Sequence, residues 1–285
     1  MAHSRVNEVN GANFLGWVLQ YSLWRPEGDD MFSRIAAFVY GVVCYLAFFA
    51  TFLYAVGFMG NFGVPKTMDS GPESPFLEAL LINSLLLGVF AVQHSVMARP
   101  WFKKAWTKLV PQVVERSTYV LFSSVALMLL FALWQPMGGV IWSVENPAGR
   151  AVLYGIYAIG LLTVLVTTFL INHFDLFGLR QVWVNLLGRP YKSLGFVTPG
   201  PYQYIRHPLY LGWLLSFWAT PTMTVAHLIF AVATTLYIFV AVQFEEHDLV
   251  QAHREYAEYR ERVPMLVPVR SPKSADPETV PSRVA

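Results

Sequence analysis

Long apolar runs alternate with short polar stretches along the chain. Ile35–Phe58, Phe76–Met97, Thr118–Trp134 and Ala151–Ile171 each approach the ~20 residues that span a bilayer as a helix. A fifth region, 209–244, holds two apolar runs, LYLGWLLSFWAT and VAHLIFAVATTLYIFVAVQF, separated around Pro221. The first of these is short for a lone span. The pattern predicts a helical hairpin that crosses and returns. It also predicts an all-α, polytopic membrane bundle of five to six spans, followed by a C-terminal helix over the charged stretch HREYAEYRER.

Charge placement tests this layout. Lys and Arg number 3 before the first run, then 1, 5, 1 and 4 in successive loops, and 6 in the tail. By the positive-inside rule both termini face the cytoplasm, and 209–244 must cross an even number of times. Composition agrees: 55% of residues are hydrophobic and 13% charged, against about 25% charged in soluble domains. A formal net charge of +2 gives no footprint for nucleic acid. The single cysteine, Cys44, rules out an internal disulfide and a cysteine-based zinc site. Residues 1–30 lack the apolar core and cleavage site of a signal peptide and read as a cytoplasmic segment. Residues 31–268 form the membrane domain, and 269–285, rich in Pro, Ser and charge, read as a disordered tail.

Four polar motifs fall at predicted span ends on the cytoplasmic side. GPYQYIRHPLY, residues 200–210, opens the hairpin. Pro208 disfavours helix at His207, so Arg206 and His207 lie beside helix-start N–H groups, an arrangement suited to an anion. FEEHDL, 244–249, ends the last span with Glu245 and Glu246 against the membrane. Acids there pair with something, and Arg206 or His207 across the hairpin is the expected partner. INHFD places His173 and Asp175 at the end of the fourth run, and QHS places His94 inside the end of the second. One such histidine is usually packing; two on one membrane side suggest a shared polar pocket. Acids, Arg, open N–H groups and aromatic rings together suit S-adenosylmethionine, with its amino-acid head, adenine and sulfonium. No Gly-rich GxGxxG turn follows a predicted strand, so a Rossmann-type site is not expected.

RHPLYLG at 206–212, EEHDL at 245–249 and YAEYRERVP at 256–264 resemble the C-terminal signature of integral-membrane methyltransferases. The isoprenylcysteine carboxyl methyltransferases and phospholipid N-methyltransferases share it. QHSVMARPWFK, ERSTYVLFSS, LWQPMGGVIWSVENPAGRAVLYG, FLINHFDLFGLRQVW and GWLLSFWATPTMTVAHLIFA look like the bacterial methanethiol S-methyltransferases, with NnrU-type membrane proteins more distant. The resemblance implies methyl transfer from S-adenosylmethionine to a small thiol in a bacterial inner membrane. It implies cofactor contacts from Tyr202, Arg206, His207, Tyr210, Glu245 and Glu246. Thiol deprotonation needs a base, for which His94 and His173 are candidates, with Asp175 orienting one of them. A lipid amine or prenylcysteine acceptor is the nearest alternative. An NADPH-dependent membrane reductase is opposed by the acidic FEEHD run, which would repel a 2′-phosphate. A haem protein using His94, His173 and His207 is the third reading; no metal is expected.

Overall fold

The computed structural model describes residues 30–268. The expected N-terminal segment, Asp30 apart, and the expected tail lie outside the described residues.

Five helices are long and apolar enough to cross a membrane: α1 (Met31–Gly60), α2 (Phe76–Ala98), α4 (Gln112–Leu133), α5 (Pro147–Ile171) and α9 (Val225–Ala252). Four shorter helices lie at their ends: α3 (Pro100–Trp106), α6 (His173–Leu176), α7 (Leu179–Leu186) and α10 (Arg254–Arg262). The eleven-residue α8 (Pro208–Trp218) precedes α9. Starts and stops follow local chemistry. Asp30 caps Phe32 N, and Asn146 caps Ala148 and Gly149 N ahead of Pro147. The outward faces are apolar: Leu46, Leu53, Leu77, Leu81, Leu85 and Leu162 are all exposed. Such a surface suits hydrocarbon, and the chain is an integral membrane protein.

The hairpin expected over 209–244 is present in modified form. At ~1.5 Å per residue α8 rises about 16 Å, half a hydrocarbon core. The chain continues as an extended segment through β2 (Thr222–Thr224), which pairs antiparallel with β1 (Val140–Ser143). Non-helical backbone at this depth persists only when its polar groups are satisfied by protein. Here they are. His227 Nε2 donates to Phe217 O at 2.9 Å, and Trp142 Nε1 to Thr220 O at 3.2 Å. Val144 N donates to Pro221 O at 2.9 Å, and Thr220 Oγ1 to Thr222 O at 2.8 Å. Among the described residues the two-stranded ribbon is the β-structure added to the expected all-α bundle.

α8 packs most closely on α5, through small residues. A Cβ placed on Gly160 would sit 2.6 Å from Gly212 O, and one on Gly212 would sit 2.7 Å from Gly160 O. Backbones this close leave no room for a side chain, the small-residue contact of membrane helices. Gly212→Leu is expected to force α8 off α5, costing about 1–3 kcal/mol or more. A fall in thermal midpoint in detergent checks this; an unchanged midpoint would refute the close packing.

The core, around Phe58, Leu130, Phe131, Trp134, Phe217 and Phe230, lies toward the ribbon end of the bundle. The other end gathers the finish of α2, α5 and α9 with the start of α1, α4 and α8. Every polar motif singled out above lies there.

Candidate active site

Pro208 opens α8, so the chain enters the helix through non-helical residues, and Arg206 and His207 turn toward α9. Arg206 Nε donates to Glu246 Oε1 at 2.7 Å, and His207 Nε2 lies 2.9 Å from the same oxygen. Both His207 and Glu246 are buried. The expected pairing across the hairpin is therefore observed. Glu245, one residue earlier and about 100° around α9, instead accepts from Tyr210 Oη at 2.7 Å through Oε2. It has no other hydrogen-bond partner among the described residues.

Part of the donor set expected for an anion at the helix start is taken up by the protein itself. Arg206 N donates to Pro264 O, and His207 N to Met265 O. Arg206 Nη1 donates to Arg260 O and Val263 O, and Tyr259 Oη donates to Tyr202 O. The stretch from α10 to Met265 thus lies as a strap over the start of α8. Its carbonyls take the backbone N–H groups of Arg206 and His207 and the Nη1 of Arg206. Arg206, His207 and Glu246 hold this strap in place, whereas Glu245 keeps an open carboxylate oxygen. Tyr202 is buried nearby, and its phenol is pushed up first by burial and then by the charge of Glu245. Tyr259 in the strap is pushed up to about 12, chiefly by burial.

His94 lies across from this corner. Tyr119 Oη on α4 is 3.0 Å from its Nε2, and Ser123 Oγ is 3.1 Å from its Nδ1. The Arg116 guanidinium lies 5.3 Å from the Tyr119 ring centroid. Two contacts tie α2 to α9. Ser95 Oγ meets Tyr237 Oη at 3.1 Å, and Arg99 Nη1 pairs with Asp248 at 2.8 Å. Glu245 lies between those two levels on α9, eight residues or about 12 Å beyond Tyr237. Lys103 on α3 adds a further cation; burial, then the like charge of Arg116, pushes it down to about 8.

His173 is placed differently. It is 4% exposed, with Nε2 2.9 Å from Tyr45 Oη, Nδ1 2.8 Å from Thr168 Oγ1, and its ring stacked on Phe169. Burial lowers its pKa. Both nitrogens are engaged, as they are in His94, but by side chains of α1 and α5, whereas His94 adjoins Ser95, which bonds Tyr237 on α9. Asp175 touches neither histidine. It accepts from Arg180 Nη1 and Tyr191 Oη, both at 2.9 Å, because Gly178, at φ 87, turns α7 back over it. Asp175→Asn is expected to keep turnover within about threefold, since removing a group that meets no reacting atom leaves the barrier nearly unchanged. A hundredfold loss with unchanged stability would restore Asp175 to the chemistry.

Tyr119, Ser123, Tyr237, Arg99 and Asp248 were not singled out from the sequence as site residues. Their only trace there was polar side chains inside or just beyond apolar runs.

A bundle whose span ends gather paired acids, an RHP turn and a capping strap has the form of a membrane methyltransferase. A model of the isoprenylcysteine carboxyl methyltransferase (ICMT) family matches residues 152–251, which include α8 and nearly all of α9. Three bacterial relatives extend the likeness over most of the chain. A methanethiol S-methyltransferase of Crocosphaera subtropica is 56% identical over 86% of this chain and 97% of its own. One of Mycobacterium tuberculosis is 51% identical over 83% and 97%, and one of Pseudomonas deceptionensis 49% over 86% and 94%. The chain belongs to the methanethiol S-methyltransferase family. No solved structure matches it.

Proposed function

We propose that this chain transfers a methyl group from S-adenosylmethionine to the sulfur of methanethiol, releasing dimethyl sulfide and S-adenosylhomocysteine. The observation that carries this reading is the 56% identity to a methanethiol S-methyltransferase across 86% of the chain. The reading places both termini and the site on the cytoplasmic side of a bacterial inner membrane, because the end bearing the site carries the excess of Lys and Arg.

The donor set suits the cofactor. The open oxygen of Glu245 can accept from an ammonium or hydroxyl group, and Tyr210 beside it and Tyr202 nearby are aromatic rings suited to a cationic centre. When bound, S-adenosylmethionine supplies a methyl group on a positively charged sulfur that is already a good leaving group. The protein's share is then alignment, exclusion of water and removal of the thiol proton. The thiol proton reaches His94 Nε2 through Tyr119 Oη, 3.0 Å away, and passes on to water, while Ser123 holds Nδ1. The cations Arg99, Lys103 and Arg116 around this corner favour the thiolate over the thiol. Arg206, His207 and Glu246 keep the strap closed, so that α8 and α9 present Tyr210 and Glu245 in fixed positions.

Headspace detection of dimethyl sulfide from cells that express the chain and are fed methanethiol tests the reading. Silence from membrane-inserted, folded protein would overturn it. Glu245→Gln is expected to raise KM for S-adenosylmethionine by about tenfold to a hundredfold, the worth of one hydrogen bond to a charged group. Its thermal midpoint should change little, and a kcat loss with unchanged KM would remove Glu245 from cofactor binding.

A further inference from the structure

A cleft of about 520 Å³ opens between α1 and α4, away from the corner described above. Ser33, Ala36 and Ala37 form one wall, Val110, Val114 and Phe122 the other. Its far end is closed by Tyr40 Oη bonded to Thr118 Oγ1 at 3.0 Å. The cleft starts at the first turns of α1 and α4, on the charged end of the bundle, and runs two turns into the apolar zone. Exposed Ile35, Val39 and Phe122 border it, so it faces the bilayer.

Two polar side chains that line this mainly apolar cleft lack partners among the described residues. Trp106 Nε1, a donor, and Asn185 Oδ1, an acceptor, are both buried and make no hydrogen bond among the described residues. Asn185 is 2% exposed. A buried polar atom left unpaired costs about 1–3 kcal/mol, so a donor and an acceptor lining one cleft describe what would complete it. The rim is cationic. Arg34 follows Ser33 and lies over Gly188 beside the end of α7, with its Nε also buried and without a partner among the described residues. Lys108 is exposed two residues before Val110. Asp30, the acid at the start of α1, is engaged in capping Phe32 N.

We propose that this cleft holds one anionic glycerophospholipid of the surrounding leaflet, bound apart from the methyl-transfer site. An acyl chain lies between α1 and α4. The phosphate accepts from Trp106 Nε1 and faces Arg34 and Lys108. A headgroup hydroxyl donates to Asn185 Oδ1. A phosphate with a free hydroxyl, as in phosphatidylglycerol, meets both unpaired atoms, whereas phosphatidylcholine offers no headgroup donor and carries a compensating positive charge. Methanethiol is too small to fill the volume.

Native mass spectrometry of the full chain in detergent, with phosphatidylglycerol or phosphatidylcholine added in equal amounts, tests this. The wild type is expected to retain one phosphatidylglycerol per chain, and at least fivefold less phosphatidylcholine. Ala36→Trp, which fills the mouth from an exposed position, should lower phosphatidylglycerol retention at least fivefold. Trp106→Phe, which keeps a ring but removes the donor, should lower it at least threefold. If Ala36→Trp does not fold, Arg34→Gln supplies the same readout. Equal retention in wild type and variants would overturn the proposal, as would equal retention of the two lipids. So would retention that appears only after deletion of residues 1–29, because that segment would then be the natural occupant.

Discussion

Glu246→Ala is expected to abolish dimethyl sulfide formation, by more than a hundredfold, and to loosen the strap. Glu246 Oε1 is the shared acceptor for Arg206 Nε and His207 Nε2, and the three groups are largely buried. Removing one member of such a cluster leaves a buried cation unpaired, which costs about 3–5 kcal/mol. Arg206 also donates to Arg260 O and Val263 O, so its release frees the chain from α10 to Met265. Two measurements separate this from a simple ligand loss. Limited proteolysis should cut the variant within 253–266 at least tenfold faster, and its thermal midpoint should fall by several degrees. Lost turnover with wild-type protease resistance would instead make Glu246 a direct cofactor ligand.

His94→Ala is expected to lower turnover at neutral pH by about 10²–10⁴, the range for loss of a positioned general base. The thermal midpoint should fall by a few degrees at most, since Tyr119 and Ser123 lose a hydrogen-bond partner and Phe90 a stacked ring. The pH profile is the sharper test. Without the base, the rate follows the thiolate that forms in solution, which increases tenfold per pH unit below the thiol pKa. The variant should therefore recover steeply on the alkaline side while the wild type stays comparatively flat. Wild-type turnover at pH 7 would remove His94 from the reaction.

The bundle was legible in the sequence because its two constraints are one-dimensional. Run length reports spans, and the alternation of Lys and Arg sorts the connecting segments into two ends of the bundle. Together they required an even crossing at 209–244. They could not show that the inbound limb is eleven residues of helix and then strand. That depends on Trp142 and His227 reaching distant carbonyls. The pairing of an acid at 245–246 with Arg206 or His207 was legible because membrane-edge acids need partners. Which acid pairs was not, since adjacent helical residues point about 100° apart and only the packed position of α8 decides between them. Asp175 was misleading for a related reason: it follows His173 by two residues, but Gly178 folds Arg180 and Tyr191 over it. Tyr119 and Tyr237 went unseen as site residues because an aromatic in an apolar run reads as packing until its hydroxyl has a partner.

The strap also sets an order of events during biogenesis. Residues 260–265 leave the ribosome after all five long helices, so an unfinished chain can be inserted in the bilayer while its catalytic corner still lacks a cover. Competence then arrives only once the strap has been translated. A premature stop just after Ala252 would leave a bundle that occupies membrane and turns nothing over.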